Sequence, residues 1–290
     1  YEDPEEILAT QKGIKEAPGK ISISSLRAAI NKAAGMEVAF SLEEENPTEV
    51  KEWIPTGSRL LDSIIARGIY AGIPVGKISE IAGLSSAGKS YMAAQIAANA
   101  QKMGIDVIYF DSESALDPTF LSNSGCDIKN LLYVQATTVE FVLESIESLL
   151  GKNSNRMLFV WDSIANTSCK ADLERAFDAG GPPKAPHILT MGMKRLTIPL
   201  ANAQSTLLCL NQLKTNISTT PGEMLVNPYF TPGGKALTYA YSLRVWLTAR
   251  GAKAAYITDE KGFRIGSEAK IKIKKSRFGT DGRGCVFKLI

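Results

Sequence analysis

The chain is expected to be an α/β protein, with a P-loop core built on a central, mostly parallel sheet flanked by helices and a small N-terminal appendage of helix and strand. Three observations predict it. From Trp53 onward, short apolar runs alternate with helix-length segments, the order produced when parallel strands are joined by crossover helices. A glycine-rich loop, Gly83-Leu84-Ser85-Ser86-Ala87-Gly88-Lys89-Ser90, lies between one such run and a helix. The polar residues able to carry chemistry follow the carboxyl ends of the runs, where open α/β sheets collect ligands.

Six runs are strand candidates. Lys77-Ile78-Ser79-Glu80-Ile81-Ala82 precedes the glycine loop, Asp106-Val107-Ile108-Tyr109-Phe110 precedes an acidic pair, and Met157-Leu158-Phe159-Val160-Trp161 precedes Asp162. Thr206-Leu207-Leu208-Cys209-Leu210 leads into Asn211-Gln212; Leu243-Arg244-Val245-Trp246-Leu247 and Ile271-Lys272-Ile273-Lys274 complete the set. Residues 170–186 and 214–232 fit neither helix nor strand, because glycine, proline and small polar residues break any periodicity; long loops of this kind are usually functional or disordered. Residues 1–50 form the appendage: a helix runs from Ser22 to Gly35, and the acidic, proline-containing stretch Glu43-Glu44-Glu45-Asn46-Pro47 reads as a linker to a core at 51–290.

Composition bounds the partners. The 290 residues are 44% hydrophobic and 22% charged, as in ordinary globular proteins, and the net charge of +3 means that nucleic-acid binding must come from local clusters. Cys126, Cys169, Cys209 and Cys285 lack CxxC spacing and His187 is the only histidine, so neither a zinc site nor a disulfide framework is indicated. A reducing, intracellular compartment fits. No run reaches the ~18 apolar residues that span a bilayer, and no signal peptide opens the chain. The chain opens on Tyr1 rather than Met, so an earlier start is expected.

The glycine loop matches GxxxxGK[ST] in full and has the required context, a strand before it and a helix beginning Tyr91-Met92-Ala93 after it. Such loops turn backbone amides onto phosphates; Lys89 reaches the outer phosphates and Ser90 offers a hydroxyl to Mg²⁺. Gly83, Leu84, Ser85, Ser86, Ala87, Gly88, Lys89, Ser90 and Tyr91 are therefore the candidate ATP contacts. Asp162, at the end of its strand, either holds the Mg²⁺ hydration shell or caps the next helix; beside a complete P-loop the metal role leads. In Asp111-Ser112-Glu113, Glu113 is the choice for the carboxylate that orients or deprotonates the attacking water, against a solvated loop acid.

With those residues in view, the chain resembles the RecA-type recombinases, bacterial RecA and its phage counterparts of the UvsX type. Ile54-Pro55-Thr56-Gly57-Ser58-Arg59-Leu60-Leu61-Asp62, the P-loop, Asp111-Ser112-Glu113-Ser114-Ala115-Leu116-Asp117-Pro118, Asn211-Gln212 and Thr231-Pro232-Gly233-Gly234-Lys235-Ala236-Leu237 occur in the family's order over roughly residues 53–290. The resemblance implies a RecA-like core that hydrolyses ATP with Mg²⁺ in a DNA-dependent manner and forms helical filaments on single-stranded DNA. It further implies pairing with homologous double-stranded DNA and strand exchange. It makes Glu113 the catalytic glutamate and Gln212 the sensor of the γ-phosphate at the start of a second DNA-binding loop. Phe120 takes the place of the adenine-stacking aromatic, the alternative being a core phenylalanine. Lys275 and Arg277 fall where the family's cations reach the neighbouring subunit's ATP; Arg277 is nearer the phage type.

For DNA, the resemblance points to Lys184 in the first loop, Lys194 and Arg195 on the helix after it, Lys214, Thr215, Asn216, Met224 and Leu225 in the second loop, and Gly233 and Gly234 at its end. Gly180-Gly181-Pro182-Pro183 departs from the bacterial pattern in the first loop. The appendage is similar to the family's arm, which packs on an adjacent subunit, with Phe40 as an apolar anchor; a single-strand binding protein and a loader are implied partners. The resemblance leaves the family's C-terminal domain either absent or outside these 290 residues, and it implies the cytoplasm of a bacterium or of a phage-infected host. Two other readings are a hexameric helicase, whose kind lacks the Ala-Leu-Asp-Pro and Gly-Gly-Lys-Ala-Leu segments together, and a paralogue without turnover, against which Lys89, Glu113 and Asp162 argue.

Overall fold

A computed structural model describes residues 21–35, 37–43, 49–152, 154–174, 184–217, 228–234, 236–249 and 256–289. Met224 and Leu225 lie outside the described residues. The chain divides into two units, residues 1–49 and 50–290.

In the first unit, α1 (Ile23–Ala34) begins where Ser22 Oγ accepts the Ser25 N–H at 3.2 Å and stops at Gly35. Asn31 ties the helix to the extended residues after it: its Oδ1 accepts from the N–H groups of Val38 and Ala39 at 2.9 and 2.8 Å, and its Nδ2 donates to the Ala39 carbonyl at 3.2 Å. Ile23, Leu26, Ile30 and Phe40 line a groove on this unit. No residue of α1 is buried.

The second unit runs β1 (Trp53–Ile54), α2 (Arg59–Ile65), β2 (Ile73–Pro74), β3 (Ile78–Gly83), α3 (Lys89–Lys102), β4 (Asp106–Asp111) and α4 (Pro118–Asn123). It continues through β5 (Leu131–Gln135), α5 (Val139–Lys152), β6 (Met157–Asp162), α6 (Lys170–Leu173), α7 (Ala185–Asn202), β7 (Thr206–Gln212), β8 (Lys214–Thr215) and β9 (Tyr229–Phe230). α8 (Leu237–Ala240), β10 (Leu243–Ala249), β11 (Tyr256–Thr258), β12 (Arg264–Ser276) and β13 (Gly284–Leu289) end it.

Among the described residues the main sheet has nine strands, ordered β11-β12-β10-β3-β7-β6-β4-β5, with β13 also on β12. From β10 to β5 every neighbour is parallel; β12 is antiparallel to β10, β11 and β13. The period-2 alternation of each strand divides the core. Leu158, Val160, Leu208 and Leu210 join the cluster that holds the α3 alanines 93, 97 and 100. Phe159, Trp161, Leu207 and Cys209 join the cluster built with Val142 and Ile146 of α5 and Met193, Leu196 and Leu200 of α7. Each large side chain fully buried in this way contributes about 1.5–3 kcal/mol.

All six strand candidates are strands, and the structure adds others. β5 lies on the parallel edge, where its apolar run Leu131 to Val134 is partly exposed while that of β6 is buried. Ile271-Lys272-Ile273-Lys274 is the middle of the 13-residue β12, whose partner β13 follows a turn. The segments expected to be irregular are shorter than the sequence suggests. α6 occupies residues 170–173 and α7 starts at Ala185, with Pro186 in its first turn, where a missing N–H costs nothing. β8 and β9 pair at the two ends of residues 214–230.

The motif Ile54 to Asp62 has a structural explanation. Ser58 caps α2 by accepting the Leu61 N–H at 3.3 Å, and the buried Asp62 carboxylate accepts from Thr56 N and Oγ1 at 3.1 and 2.7 Å. Burial raises the Asp62 pKa, against those two bonds.

Candidate active site

β3 delivers the glycine loop to the C-terminal edge of the sheet. Gly88, at φ 92, turns the chain into α3 in a conformation that side chains disfavour, and no side chain caps the helix. The first N–H groups of α3 therefore face the loop with the positive end of the helix dipole behind them, the arrangement that holds phosphate. Lys89 Nζ donates to the carbonyls of Gly83 and Leu84 at 3.2 and 3.0 Å, which keeps the ammonium over the loop. Burial lowers its pKa, while the charges of Asp162 and Glu113 push it back up.

Ser90 Oγ donates to Asp162 Oδ2 at 3.2 Å, and Tyr109 OH donates to the same oxygen at 3.0 Å. The Asp162 carboxylate is thus turned to the loop, not to the N–H groups of the turn after β6, which gives no support to the capping alternative. Its pKa is raised by burial; the bonds from Tyr109 and Ser90 lower it, and the charges of Glu113 and Asp111 add to the rise. Burial, with the Asp162 charge, holds the Tyr109 phenol well above its ordinary value, so it stays a donor.

Asp111 and Glu113 divide their work by geometry. Asp111 Oδ1 accepts the Glu113 N–H at 2.8 Å, Oδ2 accepts the N–H groups of Ala115 and Leu116 at 3.0 and 3.1 Å, and Tyr133 OH donates to it at 3.3 Å. That carboxylate is occupied in shaping the turn. Glu113 stays exposed, its Oε1 accepting from Asn166 Nδ2 and, at 3.3 Å, from Ser163 Oγ. Ser112 laces β4 to β6: its N–H donates to the Asp162 carbonyl at 2.8 Å and its Oγ accepts the Ser163 N–H at 2.9 Å. Tyr109, Ser112 and Asn166 are not candidates from sequence, because the pairing of β4 with β6 is what brings Tyr109 and Ser112 to the Asp162 end and Asn166 to Glu113; the serine of Asp-Ser-Glu is the one available signal.

Gln212 ends β7 in register with Gly83, and the Leu213 N–H donates to the Gly83 carbonyl at 3.0 Å. The start of the second loop is therefore stitched to the start of the phosphate loop. Phe120 packs partly against the core and lies 6.3 Å from the Tyr91 ring. Lys275 Nζ donates to the carbonyls of Thr238 and Tyr239 at 2.9 and 3.2 Å, and Arg277 Nη2 donates to Tyr239 O at 3.2 Å. Both cations are thereby held together on the β12 end, and burial followed by the Arg277 charge lowers the Lys275 pKa.

The DNA candidates are dispersed. Lys184 precedes α7 and its N–H donates to both Asp172 carboxylate oxygens at 3.1 Å. Lys194 is exposed on α7, and Arg195 pairs with Glu147 of α5 at 2.8 Å through both oxygens. Lys214 and Thr215 form β8, and the Asn216 N–H donates to the Pro228 carbonyl at 2.8 Å. Gly233, at φ 104, sits where a Cβ would come within 2.5 Å of Leu237 Cδ2; Gly234 is exposed beside it. Among the described residues no helix is long and apolar enough to cross a membrane.

Chains in which a phosphate loop joins a central parallel strand to a helix, with a strand-end carboxylate against the loop's hydroxyl, make up the P-loop nucleotide-binding class, and this chain falls within it. The family model described as RecA N-terminal domain matches residues 22–290. The protein RecA of Chlamydia felis is 32% identical over 271 residues, covering 93% of this chain and 74% of that protein. RecA of Heliobacterium modesticaldum is 31% identical over 264 residues, 90% of this chain and 72% of that protein; RecA of Ruminococcus albus is 31% identical over 271 residues, 93% and 65%. The chain belongs to the RecA family and is a RecA-type recombinase, a protein of DNA recombination and repair.

Proposed function

We propose that this recombinase is a DNA-dependent ATPase that coats single-stranded DNA as a helical filament and carries out homologous pairing and strand exchange. The observation that carries the reading is the joint of loop and sheet: Lys89, Ser90, Asp162 and Glu113 converge at the ends of β3, β4 and β6, and Gln212 stands in register with Gly83. The α3 N-terminus and Lys89 bind the phosphates of ATP. The Ser90 hydroxyl and Asp162 carboxylate, 3.2 Å apart, are hard oxygen donors suited to Mg²⁺. Mg²⁺, when bound there, neutralises charge on the phosphates. Glu113, braced by Asn166 and Ser163, orients a water for in-line attack and takes its proton. Gln212 couples the phosphate end of the site to the segment that follows it.

Lys275 and Arg277, pointed at carbonyls of residues 238 and 239 and not at their own phosphate loop, suit a role across a subunit boundary. There they would stabilise charge on a neighbour's phosphates and make turnover depend on assembly. The exposed apolar side chains of α1, with Ile23 84% exposed, and the groove at Phe40 support head-to-tail packing by the arm. A single-strand binding protein and a loader are proposed partners.

The test is phosphate release with and without single-stranded DNA, alongside negative-stain images. Stimulation with helical filaments is expected. Closed rings that unwind duplex would replace the reading with a helicase, and nucleotide binding without turnover would replace it with a non-catalytic paralogue.

A further inference from the structure

Glu80 lies on β3 three residues ahead of Gly83 and is 1% exposed. Its two oxygens are divided between the flanking strands: Oε2 accepts from Arg244 Nε of β10 at 2.6 Å and Oε1 accepts from Asn211 Nδ2 of β7 at 3.0 Å. Arg244 stands in register with Glu80 and is 7% exposed; Asn211 is fully buried. Both partners then reach the same turn. Arg244 Nη2 donates to Thr231 Oγ1 at 2.9 Å, and Asn211 Nδ2 donates to the Pro232 carbonyl at 3.1 Å. Asn211 Oδ1 meanwhile accepts the Gln212 N–H at 2.9 Å. The guanidinium carbon lies 5.8 Å from the Tyr241 and Trp246 ring centroids.

A buried ion pair is weak evidence for stability, since well-packed apolar residues often do as well in its place. What this pair has that an apolar pair lacks is spare donors. The guanidinium fork is planar, so fixing one edge on Glu80 fixes where the other edge meets Thr231. We propose that Glu80, Arg244 and Asn211 are positioning residues, forming a relay that holds Gln212 and the turn at residues 231–234 in one geometry relative to the phosphate loop. A change at the nucleotide is thereby passed to both ends of the second loop. The relay rests on the function proposed above, and none of its members touches nucleotide.

Glu80→Ala would strand a buried guanidinium, so the test uses the partly exposed end of the relay. Thr231→Val removes the acceptor at nearly constant shape, and Thr231→Ser returns it; Thr231→Ala repeats the test without added bulk should the valine lower the thermal midpoint. Affinity for a labelled oligonucleotide is measured with and without a non-hydrolysable ATP analogue, and analogue affinity is measured separately. Thr231→Val is expected to lose about tenfold of the analogue-induced gain in DNA affinity. Its analogue affinity and its DNA affinity without nucleotide stay at the parent level, and Thr231→Ser recovers the gain. A parental gain in the valine and alanine variants, or a loss that serine does not rescue, overturns the relay alone. No gain in the parent protein overturns the proposed function and the relay with it.

Discussion

In the parallel half of the sheet, β6 is covered on both faces and shows a charged side chain only at its last residue, Asp162. In β12, one face is solvated: Ile271 and Ile273 are buried while Lys270, Lys272 and Lys274 remain exposed, Lys274 lying 4.7 Å over the Trp246 ring. The contrast follows from sheet type, since crossover helices cover both faces of parallel strands and an antiparallel extension can leave one face wet. It places the candidate residues as well. Asp162 ends β6, Glu113 follows β4 and Lys89 follows β3, all parallel strands, whereas Lys275 and Arg277 lie at the end of the antiparallel β12.

If the two halves belong to one active site shared between subunits, the largest effect comes from the antiparallel end. The double variant Lys275→Ala, Arg277→Ala is expected to lower DNA-stimulated phosphate release by about 10³-fold. Its single-chain nucleotide affinity, read by titration calorimetry, should stay unchanged; loss of that affinity would return the cations to their own subunit. At the parallel end, Glu113→Gln should slow hydrolysis by about 10²-fold while ATP-dependent DNA binding persists. Equal loss of both would remove Glu113 from the chemistry.

A smaller effect sharpens the parallel side through pH. The raised Asp162 pKa means that the folded chain holds this proton more tightly than the unfolded one. The stability it contributes is complete below the ordinary carboxylate value and is lost as pH rises through the raised value. Without nucleotide, Asp162→Asn should therefore be more stable than the parent at neutral pH. Chemical denaturation should show the difference shrinking as pH falls toward the ordinary carboxylate range, and a constant difference would discount the charge. The smallest effect belongs to the wet face of β12. Lys272→Ala should alter stability by no more than about 0.5 kcal/mol, as befits an exposed side chain, and thermal melts would detect more.

Much of the site was legible because it is local in the chain. Gly83 to Ser90 needs only its own strand and helix, and the ends of β4 and β6 are readable as apolar runs closed by an acid. Glu113 is the sequence's choice for the water-orienting carboxylate, and the resemblance points to the same residue; the physical ground for preferring it to Asp111, that Asp111 is occupied by three backbone N–H groups and Tyr133, is tertiary. β5 is not among the six candidates, since a run of only four apolar residues, Leu131 to Val134, does not by itself tell a strand from a turn of buried helix; β13 follows residues rich in glycine. The resemblance points Arg195 at DNA, and only the packing of α5 shows that its guanidinium is paired with Glu147.

The sequence by itself determined the α/β class, the phosphate loop and the strand-end acids, since hydrophobic period and loop chemistry act over a few neighbouring residues. Only the tertiary structure decided which strands are neighbours. That order sets Asp162 against Ser90, Gln212 beside Gly83, and Glu80 between Asn211 and Arg244, with Glu80 and Arg244 164 residues apart in the chain. Strand pairing depends on how whole faces are buried together, so contacts across the sheet are properties of the packed molecule and of no segment taken alone.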